Sequence, residues 1–515
     1  MSETVTESVA PSGLRRSAGL WLGIGVFALI LWWPAPAGMR PEAKRMAATV
    51  ALMGCWWIGE SMPLGVTALV PLVAFPVLKI MPSSKVAPHY ANHFVFLLLG
   101  GFFIALAMQR WNLHTRIALL IIRFVGTSAR RLVLGFMLAS GFLSMWISNS
   151  ATTMMMMPIG LGLILKIEEM QGGRPGRSIR NFGVCLMLGI AYAANIGGVG
   201  TLVGTFPNLV FAGMFKELFP GGPEITFVEW LKIGLPFTAL FIPLMWAYMV
   251  MGVLPIKGRV VDNADALVRT EIAKLGKMGR GEATVLAVFV ATALLWIFRS
   301  DIHVGAVTVP GWTNVLGLQE YVHDATIAMG MGILCFILPV DRKKSVSLLN
   351  WEHGKRAPWG ILLLFGGGFA IAAGFGESGL TEWVGRQLIV LQGVPVPVIV
   401  AAIALMMTFL TEATSNTATT TMMLPILAAT AGVLDVNPLL LMLPATISAS
   451  CAFMLPIGTP PNAIVFASGR VSLVQMARTG FLLNLITVVF VTAFMYFWVV
   501  PVFGISPGQP PVWMK

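Results

Sequence analysis

Apolar runs long enough to cross a bilayer recur along nearly the whole chain, separated by short polar stretches. The pattern predicts spans near 18–35, 46–62, 65–82 and 94–110, then an amphipathic stretch at about 112–126. A paired apolar segment at 131–165 follows, then an interrupted span at 181–217, a span at 231–255 and a polar loop at 257–282. The second half repeats this order. Spans at 283–299, 324–340 and 359–377 precede an amphipathic stretch at 380–392, a paired segment at 396–430, an interrupted span at 438–468 and a last span at 480–504. The expected class is an all-α polytopic membrane protein with about eleven transmembrane helices and two re-entrant helical hairpins.

The two halves carry the same polar words. SNSATTMMMMP begins at Ser148 and SNTATTTMMLP at Ser415, 267 positions later. GTFPN begins at Gly204 and GTPPN at Gly458, 254 positions later. At the first offset Gly100-Gly101-Phe102 also meets Gly367-Gly368-Phe369. The offset shrinks because the stretch 166–180 in the first copy faces a shorter one in the second.

Charge separates the copies. From Arg110 to Arg180 there are nine Lys/Arg; from Glu377 to Asn437 there is one, Arg386. Lysine and arginine stay on the cytoplasmic side, so the first hairpin is expected to enter from the cytoplasm and the second from outside. Such halves form an inverted repeat. The loops at 257–280 and 342–356 are basic and agree with this; the first outside loop, with Arg40, Lys44 and Arg45, does not. The expected organisation is a cytoplasmic tail (1–17), a first span and loop (18–45), a first repeat (46–256), a cytoplasmic loop (257–282), a second repeat (283–504) and a tail (505–515), with the N-terminus inside and the C-terminus outside.

Composition agrees: 57% of residues are hydrophobic and 11% charged, against about 25% charged in soluble domains. The formal charge of +12 reads as positive-inside loops rather than a nucleic-acid surface. The first apolar run lacks a small-residue cleavage site and is expected to be retained. Cys55, Cys185, Cys335 and Cys451 are scattered, with no C-x-x-C. Met154 to Met157 read as packing, and His89, His93 and His114 as ordinary interfacial polar residues. GGVGTLVG does not fit a dinucleotide fingerprint, and neither a nucleophile elbow, a Walker A loop nor H-E-x-x-H occurs, so no enzyme chemistry or organic cofactor is expected.

A Ser-Asn-Ser/Thr triplet at membrane depth is costly without partners or a ligand. At a hairpin tip these side chains cap helix ends and keep hydrogen-bonding capacity for a ligand. The Gly-Thr-x-Pro-Asn segments break a helix, exposing carbonyls that suit Na+ and N-termini that suit anions. Neither motif holds Lys, Arg or His. An anion there would depend on Asn and Ser/Thr donors, helix dipoles and bound cations. Glu412, three residues before Ser415, is an intramembrane acid whose counterpart is Met145, and is expected to tune the nearby cation site.

The paired triplets, the trailing Ala-Thr-Thr and the Gly-Thr-x-Pro-Asn breaks resemble the divalent anion/sodium symporter family, over about 45–505. The resemblance implies a homodimer in the bilayer whose transport domain moves as an elevator against a scaffold. It implies one Na+ site from Ser144, Ser148, Asn149 and the Gly197 backbone, and a second from Thr411, Thr414, Asn416 and the Gly458 backbone. Substrate would meet Ser148, Asn149, Ser150, Ser415, Asn416, Thr417, Thr459 and Pro460; Thr201, Thr205, Asn208 and Asn462 are further candidates without an assigned role. Ser150 stands where the family usually has Thr, and Phe206 stands opposite Pro460. The implied function is Na+-coupled import of C4 dicarboxylates such as succinate, malate or fumarate across the cytoplasmic (inner) membrane. The alternatives are a Na+-independent exchanger and a sulfate or citrate transporter of the same family.

Overall fold

The computed structural model describes residues 13–126, 128–170, 176–256, 264–304, 307–341, 343 and 345–514. The N-terminal tail to residue 12, the tip of the 166–180 loop with Arg174, and Lys257, Arg259, Arg342, Lys344 and Lys515 lie outside them. Seven described helices are long and apolar enough to span a membrane, or eight if the bent pair at 380–410 counts as one span. Shorter apolar helices stand at Arg16–Trp32, Leu64–Val77, Asp324–Ile337 and Leu439–Ala449.

Each paired segment is a helical hairpin. The first has an entry arm, Ala129–Ser144, and an exit arm, Asn149–Met170; the second has Val396–Leu410 and Asn416–Val433. Each interrupted span is two helices: Arg177–Val199 and Phe206–Leu218, then Leu439–Ala449 and Pro460–Ala467. Proline at the first turn of both second halves explains the break, because its ring suits a helix start and no helix interior.

Packing interlocks the halves. Arg177–Val199 lies against both arms of the first hairpin, and Leu439–Ala449 against both arms of the second. Their continuations cross over: Phe206–Leu218 packs on the exit arm of the second hairpin and Pro460–Ala467 on that of the first. Arg470 clamps the latter contact, with Nη1 at 2.8 and 3.0 Å from the two Glu168 oxygens. Arg177–Val199 is buried along its whole apolar window, making it the hub of the core. A second hydrophobic cluster joins Pro41–Ile58 to Trp359–Ser378.

Three expectations need correction. The span at 65–82 is divided, Leu64–Thr67 then Val70–Val77, with prolines 71 and 76 in the second piece. The polar loop at 257–282 contains a helix, Ala264–Leu275, packed on the amphipathic Leu113–Val125. Val268, Ile272 and Leu275 fall at helical spacing and Val268 is buried, a short stripe that the surrounding charge obscured. Two antiparallel ribbons, Ile302–Val304 with Val307–Val309 and Pro339–Asp341 with Val346–Ser347, add a little strand to an otherwise helical chain.

Candidate functional site

Both hairpins turn at their triplets. Ser148 lies just before the first exit arm, and its hydroxyl accepts from the Ala151 N–H at 3.4 Å; Ser415 is the N-cap of the second. Within each tip a hydroxyl on the entry side donates to the asparagine amide oxygen. Ser144 Oγ reaches Asn149 Oδ1 at 2.6 Å, and Thr411 Oγ1 reaches Asn416 Oδ1 at 2.5 Å. A threonine one turn on bonds the asparagine carbonyl in both: Thr153 to Asn149 at 2.9 Å, Thr420 to Asn416 at 2.8 Å. These pairs stand at the 267-residue offset. The hydroxyl bond fixes each amide oxygen inward and leaves Nδ2 without a hydrogen bond among the described residues.

The breaks repeat a second pattern. Asn208 Nδ2 donates to the Gly198 and Thr201 carbonyls at 3.0 and 2.7 Å, and Asn462 Nδ2 to those of Ala452 and Leu455 at 3.1 Å each. Both asparagines are fully buried, and each amide oxygen has no partner among the described residues. Each unwound loop is thus held by one amide that spans it, a role that leucine of similar size would leave empty.

The halves also touch directly. Asn195 Nδ2 donates to Thr459 Oγ1 at 3.0 Å, and the Tyr192 hydroxyl donates to the Phe453 carbonyl at 2.6 Å. Thr459 caps its helix by accepting from the Asn462 N–H at 3.3 Å. Thr205, its counterpart, makes no such cap; it is buried against Gly198, where an added Cβ would lie 2.9 Å from Thr205 Cβ and 2.6 Å from Asn149 Oδ1. Asn149, Gly198 and Thr205 therefore share one cradle. Gly197 packs its backbone on Gly141 of the entry arm, and its carbonyl accepts from the Gly200 N–H at 2.8 Å.

The remaining expected residues divide by exposure. Ser148, Asn149, Ser150, Ser415 and Asn416 are half-buried; Thr417 and Gly458 are buried and Pro460 is exposed. Ser150, Ser415 and Thr417 make no side-chain hydrogen bond among the described residues. Thr414 turns into its own hairpin, donating to the Leu410 carbonyl at 2.7 Å and meeting Thr419 Oγ1 at 2.6 Å, so it is not bonded to Asn416. Phe206 differs from Pro460 for a packing reason: its ring stands edge-on to Phe102 and Phe365.

Glu412 is buried, and four N–H donors meet its oxygens. Phe453, Met454 and Leu455 donate from the second break at 2.6, 2.8 and 3.0 Å, and Asn484 Nδ2 donates at 2.8 Å. Tyr192, Asn195 and Asn484 were not singled out from sequence; each is a polar side chain inside an apolar run, the signal that would have found them.

The donor chemistry suits a hard cation: hydroxyl and amide oxygens gather at each tip, the Ala449 carbonyl lies 2.9 Å from Thr411 Oγ1 at the second, and neither tip offers imidazole or thiolate among the described residues. Ser144, Ser148, Asn149 and the Gly197 backbone remain the expected ligands of one ion, and Thr411, Thr414, Asn416 and the Gly458 backbone those of another.

Known proteins resemble this sequence. The profile of the sodium:sulfate symporter transmembrane region matches residues 15–505. A protein of Staphylococcus saprophyticus named sodium-dependent dicarboxylate transporter SdcS is 43% identical over 494 residues, covering 96% of this chain and 93% of its own. The protein of the same name from a bovine Staphylococcus aureus strain is 42% identical over 502 residues, covering 97% and 94%. Among solved structures, the YdaH transporter of Alcanivorax borkumensis matches with a TM-score of 0.52 at 15% identity, over 83% of this chain and 89% of that one, a likeness of fold. The chain is an integral membrane transporter rather than an enzyme, and it belongs to the sodium:sulfate symporter family, the divalent anion/sodium symporters.

Proposed function

We propose that the protein is a Na+-coupled symporter that imports C4 dicarboxylates such as succinate, malate or fumarate across the cytoplasmic membrane. The observation that carries this reading is the pair of matched tips, Ser144–Asn149 and Thr411–Asn416, each with a half-buried asparagine at the start of a helix whose Nδ2 makes no hydrogen bond among the described residues. Helix N-termini carry partial positive charge and attract carboxylates. No lysine, arginine or histidine occurs in the triplets or breaks, so a dianion needs bound cations for the rest of its compensation. Cation and anion then raise one another's affinity by the same factor, which is coupling. The names of the two staphylococcal relatives support Na+ and dicarboxylate.

In this reading Ser148, Asn149, Ser150, Ser415, Asn416, Thr417, Thr459 and Pro460 line the anion site. The two hairpins and broken helices move together as an elevator within a homodimer. In this reading the apolar runs make eleven spans, and the basic loops of the first copy support inverted halves and an inside N-terminus. The interlocked packing of each broken helix on both hairpins supports movement as one body.

The test is radiolabelled succinate uptake into proteoliposomes under an inward Na+ gradient against matched K+. Na+-dependent accumulation is expected. Uptake that ignores Na+ and needs internal dicarboxylate would replace this reading with an exchanger. Competition by sulfate or citrate stronger than by malate and fumarate would replace the substrate.

A further inference from the structure

The two halves solve one contact in different ways. Position 145 corresponds to 412 and position 201 to 455. In the first half the break donates to the hairpin through a side chain: Thr201 Oγ1 bonds the Met145 carbonyl at 2.5 Å. In the second half the break again donates to the hairpin, now through three backbone N–H groups onto the Glu412 carboxylate. A neutral carbonyl suffices for this contact in the first half, so tying break to hairpin does not by itself call for a full charge.

Among the described residues the charge has no ion-pair partner. The polar contacts of Glu412 are N–H donors from Phe453, Met454, Leu455 and Asn484, surroundings made for a carboxylate, and none is an ion pair. A buried charge without an opposite charge is costly. The carboxylate also lies against the predicted cation ligands. It follows Thr411 directly, and a Cβ added at Gly458 would come within 2.8 Å of Glu412 Oε2. An ion held by Thr411, Asn416 and the Gly458 backbone would be its nearest cation.

We infer that Glu412 is a positioning residue that acts as the fixed counter-charge of the second tip, holding the Phe453–Leu455 segment in place and making this the tighter of two Na+ sites. The inference rests on the Na+-coupled reading above. The first tip, with Met145 in place of the acid, binds its ion more weakly and fills second. Binding order is thus set by the charge that the second tip carries and the first lacks.

Glu412→Gln and Glu412→Asp test this in purified full-length protein. The first readout needs no transport: the NaCl dependence of the melting temperature in detergent, without dicarboxylate and with KCl balancing ionic strength. The second is succinate uptake against Na+ concentration. Removing the charge should raise half-saturating Na+ about tenfold or more in both, the scale of one unit charge acting over several ångströms of protein. The succinate KM at saturating Na+ should stay within about threefold of wild type, because the anion contacts are untouched. Glu412→Asp keeps the charge, so its Na+ half-saturation should stay within about threefold even where melting falls. Asn484→Ala, which removes one hydrogen bond and no charge, should behave the same way.

A merely structural acid would lower the melting temperature of both Glu412 variants and leave Na+ half-saturation unmoved; that result overturns the inference. A tenfold loss in the Asp variant also overturns it, and this arm remains decisive if the Gln variant does not fold. If wild-type uptake and melting both ignore Na+, the coupled reading fails along with the inference. If the wild type responds to Na+ and Glu412→Gln responds identically, the inference alone fails.

Discussion

Asn462 offers the sharpest test of the broken-helix architecture. Its Nδ2 spans the second break, bonding the Ala452 and Leu455 carbonyls at 3.1 Å each, and the side chain is fully buried. Asn462→Ala removes two hydrogen bonds with a net contribution of about 1 kcal/mol each. It also leaves two carbonyls without that partner, at about 1–3 kcal/mol each where water cannot replace it. Water entering the vacated space offsets part of this, so the expected loss is about 2–4 kcal/mol. Asn208 spans the first break with bonds of 3.0 and 2.7 Å, and its alanine variant should lose a similar amount. Asn462→Asp is nearly isosteric but presents an acceptor to two carbonyls, so it should be at least as damaging as alanine. Equilibrium unfolding in mixed micelles of dodecylmaltoside and sodium dodecyl sulfate, followed by tryptophan fluorescence in Na+-free buffer, measures each loss. An alanine variant within about 0.5 kcal/mol of wild type, or an aspartate variant milder than alanine, would refute the claim that one amide holds each break.

Further outcomes follow from the same geometry. Asn149→Ala and Asn416→Ala should each abolish succinate uptake in protein that still elutes as a single folded species on gel filtration, since each removes the amide that Ser144 or Thr411 orients; near-normal uptake in either would remove that tip from the site. Gly198→Ala should raise half-saturating Na+ by about tenfold or more, because the new methyl would stand 2.6 Å from Asn149 Oδ1 and force it aside, whereas Gly101→Ala, with open space around it, should be neutral. Glu168 and Arg470 should show a coupling of about 1 kcal/mol in a double-mutant cycle read by unfolding, shrinking as salt rises, because their contact, one Nη1 on both carboxylate oxygens, is only partly buried.

Much of the site could be read in the sequence because membrane interiors make polar residues conspicuous. The triplets and the Gly-Thr-x-Pro-Asn words stand out against apolar runs, and their repetition located both hairpin tips and both breaks. Proline at the start of Phe206–Leu218 and Pro460–Ala467 marked where the helices resume. What stayed hidden depended on partners far away in sequence. Asn195 and Asn484 are single polar residues in long spans, and only packing shows that one meets Thr459 and the other Glu412. Glu412 has no acidic counterpart in the first copy, where Met145 stands, and only the structure shows that the break donates to a carboxylate in one half and to a carbonyl in the other. The bonds of Thr414 to Leu410 and Thr419, within its own hairpin, likewise appear only in the folded chain. The Ala264–Leu275 helix was missed because its apolar stripe is short and charge-rich sequence surrounds it.

Equilibrium binding of radiolabelled succinate to the purified protein in NaCl and in equimolar KCl tests the central claim most directly, since it removes movement from the question. The matched tips, with no basic residue in either, predict saturable binding in Na+ and none in K+, with succinate lowering the Na+ needed for half-saturation by the factor by which Na+ tightens succinate. Equal succinate affinity in the two salts would contradict the account, because the dianion would then be held without its cations.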